Sequence, residues 1–151
     1  PLGFSSTMRR ASEMAHVTDI IHVGIRGIGS ARREEVEAAR AWGAKIVTAR
    51  EIHRESMSTV LSRIPPGTRT VLTIDCDGLD AGIMPAVMAP TPGGITYNQM
   101  LELVHGLVTH TNLVACDMIE FVPERDPTGT AAITAARVLA NIVGALARKS
   151  V

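Results

Sequence analysis

The chain has 151 residues, no formal net charge and 46% hydrophobic residues. This length suits one domain with a core of its own. Because no basic field is present, binding to nucleic acid or to an anionic membrane surface is not expected. The sequence also contains no evident signal peptide and no apolar run long enough to suggest a membrane span.

Apolar periodicity predicts an alternation of strands and helices along the chain. The first part is expected to form a strand at 19–24, a helix at 31–42, a strand at 45–49 and a helix at 51–63. The second part is expected to form a strand at 70–74, a helix at 97–109, a strand at 112–119, and a last helix that follows Asp126 as N-cap and runs to about Arg148. This order predicts a parallel α/β layer with right-handed crossovers.

Two cysteines, Cys76 and Cys116, fall in or beside the predicted strands at 70–74 and 112–119. In such positions a reduced, buried thiol is the common state, so a secreted disulfide scaffold is disfavoured. Together with the balanced charge, this predicts a cytoplasmic protein.

Three carboxylates follow the strand at 70–74, in the segment Thr-Ile-Asp-Cys-Asp-Gly-Leu-Asp. In open α/β sheets the ligand crevice lies off the carboxyl ends of the strands, where Asp75 and Asp77 would emerge. In an ideal strand these two residues share one face, so both side chains would point into one pocket. Two carboxylates held that close repel unless one is protonated or a metal lies between them. Oxygen ligands of this kind favour Mg²⁺ or Mn²⁺ over Zn²⁺ or Cu²⁺.

Two other interpretations of the acidic segment remain open at this point. The acids could simply cap the following loop and helix, and this is the better interpretation for Asp80, which precedes a Gly- and Pro-rich turn. An apolar strand followed by Asp-x-Asp-Gly also resembles the start of haloacid-dehalogenase-like phosphatases. That pattern continues with Thr, where this chain has Leu79, and it needs a second acidic pair that is absent after residue 126.

Two longer segments resemble the ureohydrolase family of agmatinases, arginases and related amidinohydrolases. The segment TIDCDGLDAGIMPAVMAPTPGGITYNQM is similar to the family's strand, Asp-x-Asp-x-x-Asp-Pro and proline- and glycine-rich loop, with Ala81 in place of the usual Pro. The segment DMIEFVPERDPTGTAAITAARVLANIV is similar to the family's strand with a substrate-binding Glu and its C-terminal helix. The two segments occur in the family's order, and weaker likeness covers nearly the whole chain.

The resemblance implies a three-layer α/β/α fold with a mainly parallel sheet, of the arginase-deacetylase-like type. It also implies two Mn²⁺ ions bridged by hydroxide, which attacks a guanidinium carbon and releases urea. Carried over by position, Asp75 would bridge both ions, Asp77 would bind one, and Glu120 would hold the substrate guanidinium by paired hydrogen bonds. The alternative for Glu120 is a surface pair with Arg125.

The family's other metal ligands, a His and an Asp-x-His-x-Asp cluster, are absent from this sequence. Residues 1–151 are therefore expected to be the C-terminal part of a single ureohydrolase domain whose remaining ligands lie upstream. This portion alone is expected to be inactive, because a binuclear site needs more ligands than two carboxylates. A non-catalytic remnant that keeps the fold but not the metals is the main alternative.

Arginases carry acidic residues in the loop that follows the strand at 19–24, whereas residues 26–30 of this chain contain none. The resemblance therefore favours agmatine or a guanidino acid over arginine as the small-molecule substrate. Arg26 could pair with the carboxylate of a guanidino acid, or it could serve an internal role. The family also implies a homo-oligomer.

Overall fold

The computed structural model describes residues 6–29 and 31–149, which form six helices and four strands. The opening residues 1–5, which belong to the weaker likeness, and Ser30 of the loop 26–30 lie outside the described residues. In chain order the elements are α1 (Thr7–Ala11), β1 (Ile21–Ile25), α2 (Arg33–Trp42), β2 (Lys45–Thr48), α3 (Ala49–Glu55), α4 (Ser58–Leu61), β3 (Arg69–Asp75), α5 (Tyr97–His110), β4 (Asn112–Ile119) and α6 (Thr130–Lys149).

The four strands form two parallel pairs among the described residues, β1 with β2 and β3 with β4. Parallel pairing was predicted from the alternation of strands and helices and is confirmed. In the second pair Asp75 lies opposite Ile119, so the carboxyl ends of β3 and β4 are level with each other. This register brings the residues that follow both strands to one edge of the sheet.

The predicted strands agree with the observed ones to within about two residues. The strand at 112–119 is observed with exactly those bounds, and the strand at 70–74 is observed as Arg69–Asp75. The strand predicted at 19–24 begins two residues later than predicted and ends at Ile25. All four strands lie where apolar and β-branched residues are concentrated.

The predicted helix at 51–63 is wrong as a single element. The helix begins earlier, at Ala49, because Thr48 and Glu51 form a capping box in which Thr48 Oγ1 accepts from the Glu51 amide at 3.2 Å. It ends at Glu55, where Ser56 has a positive φ of 98°, and α4 follows as a separate turn. The Thr-x-x-Glu spacing was the signal for the true start.

The last helix also begins later than predicted, at Thr130 instead of directly after Asp126. Asp126 nevertheless caps it, since its carboxylate accepts from the amides of Ala131 at 3.2 Å and Ala132 at 2.8 Å. The intervening turn contains Gly129 with φ of 72°. The carboxylate thus reaches the free amides of the first turn across a short loop instead of from the adjacent position.

The core is one cluster of buried side chains that extends from α3 and α4 through α5 to α6 and includes Ile74 of β3 and Leu113 of β4. The apolar stripe of α5 is buried, and it packs against the face of α6 that carries Val138 and Ile142. Val71 and Val114, by contrast, are 62% and 46% exposed on β3 and β4. The buried stripe of α5 consists of Met100, Leu103, Val104, Leu107 and Val108.

Contrary to the expectation from sequence, one helix, α6, is long and apolar enough, by length and composition alone, to cross a membrane, with a mean hydropathy of 1.5. About a third of that segment is buried, and the helix packs along α5 as the core helix of an α/β protein does. Packing on α5 accounts for its buried side, whereas Ile133, Leu139 and Val143 on α6 are exposed.

Candidate active site

Asp75 and Asp77 lie at the carboxyl end of β3, as the sequence predicted, but they do not share a strand face. The strand ends at Asp75 and the chain turns at once into a 3-10 turn at Cys76–Gly78. Asp75 Oδ1 accepts a hydrogen bond from the Asp77 amide at 3.2 Å, which closes this turn. The two carboxylates are therefore brought together by a turn and not by the pleat of a strand.

The surroundings of Asp75 disfavour its negative charge. Burial raises the pKa of Asp75 to about 6, and the nearby charges of Asp77 and, more weakly, Glu120 act in the same direction. The Asp75 carboxylate thus lies in a cluster of like charges at the end of the sheet. A divalent cation at this point would offset the repulsion.

Glu120 follows β4 directly, and it lies at the same sheet edge because Ile119 is paired with Asp75. Its backbone has a φ of 63°, in the left-handed region that residues other than glycine seldom adopt. Such a conformation costs about 1–3 kcal/mol and is concentrated at functional sites.

The Glu120 side chain is exposed, and the described residues form no salt bridge with it. The alternative pair with Arg125 is not observed. The Arg125 guanidinium instead donates to the carbonyls of Val87 at 2.9 Å and Met88 at 3.1 Å. The structure therefore leaves the carboxylate of Glu120 available to a ligand.

The residues at this edge suit part of a metal site. Asp75 and Asp77 offer hard oxygen donors of the kind that Mn²⁺ and Mg²⁺ prefer. Within residues 6–29 and 31–149, however, no group of three or more His, Cys, Asp or Glu side chains is arranged to hold a metal ion. The two carboxylates thus suit part of the donor set of such a divalent cation, and further ligands would be needed to complete a site.

Asp80 has a structural role, as its position before the turn predicted. Its Oδ1 accepts from the Gly82 amide at 2.9 Å, and its Oδ2 accepts from the amides of Gly93 at 2.7 Å and Gly94 at 3.1 Å. These backbone donors, with that of Gly82 first, lower the pKa of Asp80. The carboxylate therefore fastens the turn after β3 to the proline- and glycine-rich loop.

The same two segments also meet through their backbones. Leu79 and Ile95 form an isolated parallel bridge, with the Asp80 amide donating to the Ile95 carbonyl at 3.0 Å. Gly94 lies so close to this bridge that a Cβ there would be 2.6 Å from the backbone of Leu79 and Asp80. Only glycine fits at this approach.

Two side chains outside the acidic segment, His53 and Arg26, also hold this loop. His53 Nε2 lies 3.0 Å from the Gly94 carbonyl. The guanidinium of Arg26 joins the two segments through the carbonyls of Asp77 and Thr91, at 2.7 and 2.6 Å. These contacts link residues that are 41 to 65 positions apart in the sequence. Local sequence patterns therefore do not predict them.

The two cysteines are free thiols, as predicted. Cys76 is fully buried behind the acidic turn, and burial raises its pKa to about 11. Cys116 is partly buried in β4. A thiol with such a raised pKa remains protonated at neutral pH and acts as a small apolar side chain.

A family model described as the arginase family matches residues 3–144. N(1)-aminopropylagmatine ureohydrolase from Thermus thermophilus is 30% identical over 125 residues, which are 83% of this chain and 41% of that protein. Guanidinobutyrase from Pseudomonas aeruginosa is 27% identical over 143 residues, covering 91% of this chain and 44% of that protein.

The solved structure of agmatine ureohydrolase from Thermoplasma volcanium has a TM-score of 0.73 and 24% identity, over 84% of this chain and 42% of that one. This likeness confirms the predicted fold class, an incomplete α/β/α arrangement with a mainly parallel sheet. The chain spans about two fifths of the length of the relatives and structures that it matches.

Proposed function

Because this chain belongs to the arginase family, we propose that it supplies part of the active site of a manganese-dependent amidinohydrolase, an enzyme that hydrolyses a guanidino compound to urea and an amine. The observation that carries the proposal is the meeting of Asp75, Asp77 and Glu120 at one sheet edge. There an acid with a raised pKa lies beside an exposed acid in the left-handed region.

The three acids would have two different roles. Asp75 and Asp77 would hold manganese, which when bound supplies a hydroxide nucleophile from water near neutral pH. The carboxylate of Glu120 would accept two charge-assisted hydrogen bonds from the planar guanidinium, in the geometry that a carboxylate and a guanidinium share. Glu120 thereby orients the substrate's carbon toward the sheet edge that carries the two aspartates.

We propose agmatine, a related guanidino amine or a guanidino acid as the substrate in preference to arginine. Residues 26–30, which follow β1, contain no acid to meet the amino group of an amino acid. Two relatives are named as an aminopropylagmatine ureohydrolase and a guanidinobutyrase and others as arginases, so the choice rests on this loop. Manganese as the metal, a homo-oligomeric state and a cytoplasmic location stay predictions.

We further propose that these residues are the C-terminal part of one ureohydrolase domain and that the other metal ligands come from polypeptide outside them. Two facts support this: the chain spans about two fifths of its relatives, and it lacks Asp-x-His-x-Asp. Residues 1–151 alone are then expected to be inactive. The family match over residues 3–144 favours this reading over a dehalogenase-like phosphatase.

The test is urea release by the complete natural polypeptide that carries this sequence, loaded with Mn²⁺ and supplied with agmatine, aminopropylagmatine, guanidinobutyrate and arginine in turn. Two variants separate the proposed roles. Asp77→Asn is expected to lose Mn²⁺ binding, whereas Glu120→Gln is expected to bind Mn²⁺ normally and lose at least about 100-fold in kcat/KM.

Glu124→Gln is the matched control, since Glu124 is an exposed acid four residues from Glu120. It should leave urea release unchanged. A complete polypeptide that binds no Mn²⁺ and releases urea from none of the four compounds would contradict the proposed function and favour the non-catalytic remnant. Turnover by residues 1–151 alone would instead contradict the proposed division of the site.

A further inference from the structure

The side chain of Arg26 makes an unusual set of contacts for a residue just beyond the end of a strand. Its Nη2 donates to the carbonyls of Asp77 at 2.7 Å, Leu79 at 3.1 Å and Thr91 at 2.6 Å. The first two acceptors belong to the acidic turn and the third belongs to the proline- and glycine-rich loop. One nitrogen therefore spans the two segments that Asp80 also connects.

The remaining guanidinium nitrogens are directed at the same segments. Nε lies 3.2 Å from the Thr91 carbonyl and 3.3 Å from that of Pro92. Nη1 lies 3.4 Å from the Gly78 carbonyl and 3.5 Å from that of Gly24. A guanidinium has five N–H donors, and all three of its nitrogens are engaged with main-chain oxygens here. The side chain is thus committed to the protein and is not free to pair with a substrate carboxylate.

The position of Arg26 follows from the end of β1. The pairing of β1 with β2 is interrupted at Gly24, which has a φ of 83°. A Cβ at Gly24 would lie 2.9 Å from the side chain of Ile95, so the strand end packs directly on the loop that follows Gly94. The backbone that follows Ile25 therefore lies next to both segments, and the Arg26 side chain can reach them.

We propose that Arg26 is a positioning residue for the metal-binding acids, an inference that rests on the proposed function. By holding the main-chain carbonyl of Asp77 and tying it to the loop at Thr91, the guanidinium sets where the Asp77 carboxylate lies relative to Asp75. The two acids are then arranged before any cation arrives. Groups that orient metal ligands in this way contribute about 10- to 100-fold to metal affinity.

Arginine suits this task and lysine does not. The planar guanidinium presents its donors in a fixed fork, which can meet carbonyls of two segments at once, whereas a lysine ammonium is one flexible point charge. If the positive charge alone mattered, Arg26→Lys would preserve the site. If the geometry matters, Arg26→Lys should behave like Arg26→Gln.

The experiment compares both variants with the wild type in the complete natural polypeptide. Amide hydrogen exchange, measured without metal, reports on the amides of Asp80 and Ile95, which bond across the two segments at 3.0 Å each. A Mn²⁺ titration followed by the EPR signal of the free ion gives the Kd. Urea unfolding separates a local effect from a global one.

Lys149→Gln is the matched control, because Lys149 is also a cation bound to carbonyls. Its Nζ donates to Val108 at 2.7 Å and to Thr111 at 2.5 Å, at the far end of α5 and α6. This variant tests whether losing any such cation disturbs the acidic turn. It should leave both exchange at Asp80 and Ile95 and the Kd for Mn²⁺ at their wild-type values.

For both Arg26 variants, we expect exchange at Asp80 and Ile95 to rise by about tenfold or more and the Kd for Mn²⁺ to rise by about 10- to 100-fold. Unchanged exchange, or full retention of Mn²⁺ affinity by Arg26→Lys, would overturn the proposal. So would faster exchange with an unchanged Kd. If the wild type itself binds no Mn²⁺, the proposed function fails, while the exchange data still decide whether Arg26 joins the two segments.

Discussion

Asp75 and Asp80 lie at the two ends of one short turn, yet their carboxylates have opposite surroundings. Three backbone amides donate to Asp80 and lower its pKa, with Gly82 as the largest contributor. Asp75 accepts one backbone amide, and burial, reinforced by the charge of Asp77, raises its pKa to about 6. At one end of the turn the carboxylate of Asp80 accepts three backbone amides, and at the other end the carboxylate of Asp75 accepts one.

This difference distinguishes a structural carboxylate, Asp80, from a candidate binding carboxylate, Asp75, within one segment. A carboxylate that is fully provided with backbone donors is stable as it stands and needs no ligand. A carboxylate that is crowded by other acids makes the fold less stable unless a cation joins it. Asp80 therefore holds the loop in place, and Asp75 is the acid whose surroundings suit the proposed metal site.

The largest effect is expected at Gly94, where the loop held by Asp80 touches the turn. Alanine there would place its Cβ 2.6 Å from the backbone of Leu79 and Asp80, so the two segments must separate. We expect Gly94→Ala to lower the free energy of unfolding by about 3 kcal/mol, measured by urea denaturation.

Gly144→Ala is the control for glycine replacement itself. Nothing lies within 4 Å of a Cβ at Gly144, which is inside α6, so alanine should stabilise the protein by about 0.5–1 kcal/mol. Equal stability of Gly94→Ala and the wild type would show that the two segments do not depend on this close approach.

A smaller loss is expected for Asp80→Ala, which removes the acceptor of three amides. We expect the free energy of unfolding to fall by about 2 kcal/mol at pH 7, and Asp80→Asn, which keeps one acceptor oxygen, to lose less. The folded pKa of Asp80 is lowered, so its stabilising effect is fully present above the ordinary value of 3.8.

That effect is lost as the pH falls through the lowered pKa. Urea denaturation from pH 7 to pH 3 should therefore show the difference between wild type and Asp80→Ala shrinking only below about pH 4. A difference that is the same at pH 3 as at pH 7 would mean that the charge of Asp80 does not matter to the loop.

The smallest effect, and the one of opposite sign, is expected for Asp75→Asn. Removing the charge should raise the free energy of unfolding of the metal-free protein by about 1 kcal/mol at neutral pH, a value reduced for the partial exposure of this side chain. Denaturation with a chelator present measures this.

With saturating Mn²⁺ the order should reverse, because only the wild type gains stability from the bound metal. Asp117→Asn, an exposed acid on β4, should change neither measurement and serves as the control. If Asp75→Asn destabilised the metal-free protein as Asp80→Ala does, the contrast between the two acids would be wrong.

Much of the fold could be predicted from the sequence because its patterns are local. The strand at 112–119 was predicted exactly, and the buried stripe of α5 follows from helical periodicity. The break at Ser56 could not be predicted in the same way. Its positive φ is a backbone conformation for which serine has no strong preference.

The acids of the candidate site could be found from the sequence, but their arrangement could not. Asp75 and Asp77 stand out because they directly follow an apolar, β-branched run, yet the turn that joins them depends on a hydrogen bond between their own atoms. Arg26 reaches Asp77 from 51 residues away. Contacts between residues so far apart in sequence do not produce a periodic pattern along the chain.

The left-handed backbone of Glu120 has a consequence for how this protein would change over evolutionary time. Glycine or asparagine at position 120 would relieve a conformation that costs about 1–3 kcal/mol, so loss of the side chain brings a gain in stability. A lineage released from selection for the proposed activity should therefore drift quickly to glycine or asparagine there. Persistence of glutamate among descendants would be the mark of a protein still under selection to work.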